Sequence, residues 1–177
     1  MSKDKPFVAV TIAVLTVSDT RTEVSDTSGQ YLAEALRAEG HTLAEKFICK
    51  DDIYQIRAVI SRWVADPGVQ AVLITGGTGF SGRDSTPEAV GILFDKQVDG
   101  FGEVFRYHSL AEIGSSTLQS RALAGLANNT IIFCVPGSTN ACRTAWEKII
   151  REQLDNRHRP CNFVQHLKQA EACESRG

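Results

Sequence analysis

Three stretches of almost unbroken apolar residues stand out along the chain. They are Phe7–Val17, Val69–Thr75 and Thr130–Val135, and all three are rich in β-branched residues. Runs without polar alternation are typical of strands that are buried on both faces, as in a parallel sheet. The pattern therefore predicts three central strands.

Between these strands, apolar residues recur at the spacing of one helix face. The stripe of the first predicted helix consists of Tyr31, Leu32, Ala35 and Leu36. We expect this helix to begin at a capping box of Thr27 with Gln30 and to end at Gly40. Four further helices are predicted over residues 53–63, from 85–87 to about 96, within 101–113, and over 138–154.

Buried strands that alternate with helices indicate an α/β fold, a three-layer α/β/α sandwich with a mostly parallel sheet. We expect a single domain over residues 6–167, flanked by polar tails at 1–5 and 168–177. Ligands of such sheets bind at the carboxyl ends of the strands. The turns that follow the buried strands are therefore the places to look for chemistry.

The charge balance excludes one broad class of partner. Lys and Arg number 19 and Asp and Glu number 21, so the net charge is −2. Nucleic-acid binding needs clustered positive charge, and we expect no nucleic-acid partner. No apolar run reaches the roughly 18 residues of a membrane helix, and the residues before the first strand lead us to expect no signal peptide. We expect a cytoplasmic protein with no membrane partner.

Cysteine and histidine spacing gives no sign of a metal centre. The five cysteines are widely spaced, and no Cys-x-x-Cys occurs. This favours reduced thiols and argues against a structural zinc site. The four histidines are isolated from one another in the sequence.

A glycine-rich loop follows the second buried strand. Residues 76–82 contain four glycines, among them Gly76, Gly77 and Gly79, together with Thr78 and Ser81. Such a loop lets its backbone N–H groups approach an anion, of which a phosphate is the natural example. Residues 77–82 match Gly-x-Gly-x-x-Gly in form only. The dinucleotide fingerprint needs a helix that opens at its glycines, whereas Pro87 places this helix start later. A tight structural turn is the alternative.

Acidic residues lie near the ends of the predicted strands. Asp19 and Asp26 follow the first strand, Asp51 and Asp52 precede the second helix, and Asp84 ends the glycine-rich loop. They suit a cluster around Mg²⁺, but they also suit turns, helix caps and local ion pairs, such as one with the neighbouring Arg83.

The third strand is followed by Pro136, Gly137 and Ser138, which lead straight into a helix. A helix N-terminus preceded by a glycine can bind an anion, while Ser138 can equally be a cap alone.

Taken together, these motifs resemble the MoaB/Mog family of molybdenum cofactor biosynthesis. The resemblance covers about residues 8–167 and is nearer to the B-type branch of the family than to the Mog-type branch. It is carried by five segments: 75–79, 83–89, 100–103, 120–122 and 136–138.

The resemblance implies a MogA-like fold that assembles as a trimer or as a hexamer. It implies binding of molybdopterin, a pterin with a dithiolene and a terminal phosphate. It also implies transfer of AMP from the substrate ATP to that phosphate, with Mg²⁺ as the cofactor and no flavin. A protein of the same pathway that binds molybdopterin or a nucleotide without catalysis is the alternative.

The resemblance also assigns roles to residues. Asp51 and Asp84 would be catalytic and would hold Mg²⁺, and Asp19, Asp26 and Asp51 would lie on the nucleotide side. The molybdopterin-binding residues would be Gly76, Gly77, Thr78, Gly79, Ser81, Pro136, Gly137, Ser138, Ser120 and Arg121.

Overall fold

The computed structural model describes residues 5–169. Within them, six strands form one sheet in the order β2–β1–β3–β6–β5–β4. The strands are β1 (Thr11–Val17), β2 (Thr42–Cys49), β3 (Ala71–Thr75), β4 (Lys96–Gln97), β5 (Leu123–Ala127) and β6 (Thr130–Val135). The pairs β1–β2, β1–β3 and β3–β6 are parallel, whereas β5 pairs in antiparallel fashion with both of its neighbours, β6 and β4. The predicted fold class is confirmed.

Six α-helices lie in the described part of the chain. They are α1 (Thr27–Ala38), α2 (Ile53–Ala65), α3 (Thr86–Val90), α4 (Asp99–Ile113), α5 (Thr139–Ala145) and α6 (Arg151–Gln153). A π-helical stretch, Trp146–Ile150, joins α5 to α6, and a 3₁₀ segment, Gly114–Gln119, follows α4. None of the helices over residues 5–169 is long and apolar enough to cross a membrane.

The helices cover both faces of the sheet. Successive side chains of a strand point to opposite faces. Ile12 and Val14 of β1 therefore pack with α1, α4 and the helical segment from α5 onward. Ala13, Leu15 and Val17 pack with α2 and α3. The central strands are thus buried on both sides, as their unbroken apolar runs predict.

The structure corrects several predicted boundaries. The first strand begins at Thr11 rather than at Phe7. Helix α1 is capped by Asp26, whose side chain accepts a hydrogen bond from Gly29 N, and not by a Thr27–Gln30 box. The third helix ends at Val90 and a 3₁₀ turn, because Lys96 already pairs with β5.

The predicted polar tail at 168–177 begins too early. Lys168 donates a hydrogen bond from its backbone N–H to Asn129 O, and its Nζ donates to the carbonyls of Val64 and Asp66 at the end of α2. Residue 168 is therefore part of the fold, while 1–4 and 170–177 lie outside the described residues.

Candidate functional site

The loops after β1, β2, β3 and β6 meet at one edge of the sheet, since these four strands are parallel. The chain passes from β1 outward to β2 and then back across to β3, so the order of the strands reverses beside β1. Open α/β sheets bind their ligands at such a switch point. An open cleft of about 400 Å³ lies there.

Backbone from two of these loops lines the cleft. Eight of the predicted residues line the cleft: Asp84, Ser120 and six from the segments 76–79 and 136–137, namely Gly76, Gly77, Thr78, Gly79, Pro136 and Gly137. Gly76 and Gly77 have φ angles of +103° and +66°, a backbone conformation that residues with a side chain rarely adopt. A Cβ atom on Gly76 would lie 2.2 Å from Val17 O, so the loop also packs against the end of β1. Both sequence-based interpretations, a tight turn and an accessible backbone, hold at this loop.

Asp84 lines the cleft at the far end of the glycine-rich loop. Its Oδ2 accepts a hydrogen bond of 2.8 Å from Ser81 N. The pKa of Asp84 is lowered, chiefly by a side-chain hydrogen bond with Ser81, with contributions from backbone N–H groups and the charge of Arg121. Asp84 is therefore an anion at neutral pH, and Ser81 serves to orient it.

Asp51 lies directly behind the glycine-rich loop and is 8% exposed. Its Oδ1 accepts hydrogen bonds from the backbone N–H and the hydroxyl of Ser85. Its Oδ2 would be 2.6 Å from a Cβ atom on Gly77, which shows how closely the carboxylate approaches the loop. Asp51 and Asp84 are thus both held at the glycine-rich loop, one behind it and one at its end.

Asp19 connects three of the loops. Its carboxylate accepts two hydrogen bonds from the Arg83 guanidinium, at 2.9 and 2.8 Å, and a third of 3.2 Å from Asp51 N. The hydrogen bonding and charge of Arg83 lower the pKa of Asp19. Asp19 therefore reaches the site region, but it is paired with a cation.

The structure does not bring Asp26 to the cleft. This residue is 1% exposed, and its carboxylate accepts hydrogen bonds from Thr16 Oγ1 and Gly29 N, each 2.9 Å long. Lys46 Nζ lies 2.9 Å from it as well. Over residues 5–169, no group of three or more His, Cys, Asp or Glu side chains is arranged to hold a metal ion. The larger acidic cluster that the sequence suggested is not formed.

Arg121 holds the glycine-rich loop from outside the cleft. Its Nε and Nη2 donate to the carbonyls of Gly79 and Asp84, at 2.9 and 3.0 Å. It also pairs with Glu88 and lies 5.2 Å above the ring centre of Phe80. Each nitrogen of the guanidinium thus has a partner in the protein, so the geometry favours a structural contribution to the loop.

Ser120, by contrast, lines the cleft, and its Oγ is buried without a hydrogen-bond partner. Ser138 caps α5 through a 3.1 Å hydrogen bond from Ala141 N. It lines a small recess beside the cleft rather than the cleft itself.

Several residues that line the cleft were not among those predicted from the sequence. The most informative is Arg21, the cleft's one basic side chain among the described residues, whose guanidinium donates to Thr27 Oγ1 at 3.3 Å. Its position in the turn after β1 was the available signal. The others are Thr16, Val17, Ser18, Ser28, Thr75, Ile113, Ser116 and Gln119. Three of these come from the end of α4 and the segment behind it, which no strand-end rule points to.

The fold and the cleft define a class of protein: a three-layer α/β protein with an open cleft at the switch point of its sheet. A family model described as a probable molybdopterin binding domain matches residues 13–156. The chain is 59% identical over 162 residues to molybdenum cofactor biosynthesis protein B of Escherichia coli strain K12. The aligned region covers 92% of this chain and 95% of that protein. The chain therefore belongs to the MoaB/Mog family.

Solved structures agree with this assignment. The crystal structure of a molybdenum cofactor biosynthesis protein B is 42% identical, with a TM-score of 0.82, and covers 85% of this chain and 94% of its own. The tungsten cofactor synthesizing protein MoaB from Pyrococcus furiosus is 35% identical with a TM-score of 0.73, covering 81% and 92%. The Mog protein from Mycobacterium ulcerans is 25% identical with the same TM-score, covering 83% and 96%. The resemblance to the B-type branch is confirmed.

Proposed function

We propose that the cleft binds molybdopterin and that this protein transfers AMP from Mg-ATP to the terminal phosphate of molybdopterin. The observation that carries the proposal is the convergence of two glycine-containing segments, 76–79 and 136–137, in the wall of one cleft with Arg21 and Asp84. Backbone N–H groups and a guanidinium are the donors that phosphate groups require.

The reaction needs two phosphate-bearing substrates to come together. An oxygen of the molybdopterin phosphate attacks the α-phosphorus of ATP, the bond from that phosphorus to the bridging oxygen breaks, and pyrophosphate leaves. Arg21 and the N–H groups of the glycine-rich loop offset the repulsion between the anions, and the fixed loop orients them.

Asp51 and Asp84 offer oxygen ligands of the kind that Mg²⁺ takes. This ion is usually bound in proteins by one or two carboxylates, together with waters and substrate phosphates. Asp51 and Asp84 supply two carboxylates, and the hydrogen bonds of Asp51 to Ser85 use only Oδ1. Mg²⁺ held by these residues would neutralise charge on the phosphates of ATP.

The test is pyrophosphate release by the full chain with molybdopterin and Mg-ATP, compared with Asp84→Asn and Asp51→Asn. We expect both variants to lose about 100-fold or more in rate, the size of effect seen when an electrostatic group that stabilises a transition state is removed. Asp66→Asn is the matched control, because Asp66 lies at the far end of α2 and accepts a hydrogen bond from Gly68 N. Calorimetric binding of each substrate separates lost binding from lost chemistry.

A non-catalytic binding role is the second candidate, and one observation favours it. Of the four acidic side chains predicted for the site, Asp19 and Asp26 are already paired with Arg83 and Lys46, which leaves two for a nucleotide-bound metal. Binding of both substrates without pyrophosphate release would support this role and contradict the transferase.

A further inference from the structure

A small recess opens beside the cleft, between the end of α4 and the start of α5. Its volume is about 90 Å³, and it shares three lining residues with the cleft: Ile113, Ser120 and Pro136. A ligand that lies in the cleft can therefore extend one edge into the recess. The recess is too small to accept the whole ligand.

The recess differs from the cleft in charge. Glu112 is its one charged lining residue, whereas Arg21 lines only the cleft. The Glu112 carboxylate is fixed by hydrogen bonds from Thr144 Oγ1 at 2.7 Å and Asn140 Nδ2 at 2.6 Å. Each carboxylate oxygen can accept a further hydrogen bond. The recess thus repels a phosphate and suits a group that donates hydrogen bonds.

Ser120 adds an independent sign of a ligand. Its Oγ is buried and is the one buried side-chain polar atom in the described chain that has no hydrogen-bond partner. Buried hydroxyl groups are nearly always paired, because an unpaired one loses its bonds to water without replacement. Since Ser120 lines both spaces, a ligand atom at their junction would supply the missing partner.

We propose that this recess binds the 2-amino-4-oxopyrimidine edge of the pterin, with Glu112 accepting its N–H donors and Ser120 completing the contact. The inference rests on the proposed function, since it orients molybdopterin with its phosphate toward Arg21 and the glycine-rich loop. Ser138 then lies on the pterin side. Guanine carries the same hydrogen-bond donors on its pyrimidine edge. The test therefore distinguishes the pterin of molybdopterin from the guanine base of a nucleotide.

The test compares three phosphate-free probes: pterin, lumazine and guanosine. Lumazine has an oxo group where pterin has the 2-amino group, so the pair isolates one donor. We expect the wild-type protein to bind pterin about tenfold or more tighter than lumazine, the ratio set by one charge-assisted hydrogen bond. Glu112→Gln should abolish this preference, and Glu103→Gln, an exposed charge earlier on α4, should keep it.

Ser120→Ala removes a hydroxyl that bonds to no other group of the described chain, so we expect the variant to fold. Removing an unpaired buried hydroxyl leaves the unfolding temperature equal or higher, whereas pterin affinity should fall severalfold. A purely structural role for Ser120 would give the opposite result, a lower unfolding temperature with unchanged affinity.

Equal binding of pterin and lumazine, or a preference that survives in Glu112→Gln, would overturn the inference. A Glu112-dependent preference for guanosine over pterin would assign the recess to a nucleotide base and overturn the pterin assignment. Failure of the proposed function looks different: a Glu112-dependent pterin preference without pyrophosphate release would leave the inference intact and reject the transferase.

Discussion

Gly77 joins the wall of the cleft to the carboxylate of Asp51 behind it. A Cβ atom at this position would lie 2.3 Å from Thr86 Oγ1 and 2.6 Å from Asp51 Oδ2, and its φ of +66° disfavours any side chain. The hydroxyl of Thr86 is itself bonded to Gly76 O at 2.8 Å. The turn, the cleft wall and the position of the Asp51 carboxylate therefore all require that residue 77 has no side chain.

We expect Gly77→Ala to lower the free energy of unfolding by about 1–3 kcal/mol, the usual cost of a strained backbone conformation, and to weaken phosphate-ligand binding. Gly82→Ala is the matched control in the same loop, because a Cβ atom there meets nothing within 4 Å. Urea unfolding of both variants measures the effect. Equal stabilities would contradict this prediction, because they would mean that the loop relaxes around the added methyl group without cost.

At the scale of single residues, the sequence identified the lining backbone better than the lining side chains. Glycines at a strand end allow a tight turn and a close approach to the backbone, and both interpretations place 76–79 and 137 in the wall of the cleft. A carboxylate in a turn can serve several roles, and Asp26 became a buried cap paired with Lys46. Which role applies depends on a residue 20 positions away, which no local pattern contains.

Among the secondary-structure elements, the junction between α1 and β2 contains a buried titratable side chain, the imidazole of His41. His41 lies between α1 and β2 and is 6% exposed. Its Nδ1 accepts a hydrogen bond of 3.1 Å from Val10 N, and its ring lies 5.1 Å from Phe7 and 6.2 Å from Trp146. The neutral imidazole thus links the start of β1 to the π-helical stretch.

Burial lowers the pKa of His41 below its usual 6.5, although the charges of Glu39 and Asp155 partly oppose this. The unfolded chain therefore binds a proton near pH 6.5 that the folded chain does not. The free energy of unfolding should fall as the pH drops below about 6.5, and this loss should end once the pH is below the pKa of folded His41.

Urea unfolding between about pH 8 and pH 5 tests this dependence. His41→Gln keeps an acceptor for Val10 N and cannot be protonated, so it should flatten the pH profile. His166→Gln, at an exposed position, should keep the wild-type profile. A profile that is the same in the wild-type protein and in His41→Gln would refute the assignment to His41.

The elements that the sequence missed share a physical cause. Strand β2 lies at the edge of the sheet and carries polar residues such as Glu45 and Lys46, so it has no apolar run. Strand β5 reads Leu-Ala-Gly-Leu-Ala, of low strand propensity. A Cβ atom on Gly125 would lie 2.3 Å from the ring of Phe94, so a contact with a distant residue requires glycine at this position. Unbroken apolar runs rich in β-branched residues made the central strands recognisable, and neither β2 nor β5 has such a run.

On the scale of the whole molecule, the outward side of α4 is unusually apolar. Its inward residues, such as Phe101 and Phe105, are buried in the core. The outward side carries exposed apolar residues at every third position, namely Val104, Tyr107, Leu110 and Ile113. Exposed patches of this kind mark interaction surfaces. We propose that α4 forms the contact between copies of this chain in the trimer or hexamer that the family resemblance implies.

The surface and the cleft are physically linked, because Ile113 belongs to both and Ser116 and Gln119 continue from it into the cleft wall. We expect the wild-type protein to sediment at a multiple of 19.3 kDa. Tyr107→Glu should shift it toward the monomer, since a charge buried in an apolar contact is costly. Tyr54→Glu, which alters an equally exposed tyrosine on α2, should leave the assembly unchanged.

The link to the cleft sharpens this prediction. If contacts between copies hold the segment behind α4 in place, Tyr107→Glu should also weaken binding of molybdopterin, although Tyr107 does not line the cleft. Measuring both properties on one variant separates two outcomes. Dissociation with full binding would mean that each copy forms its cleft alone, and a wild-type protein that sediments as a monomer would remove α4 as an interface.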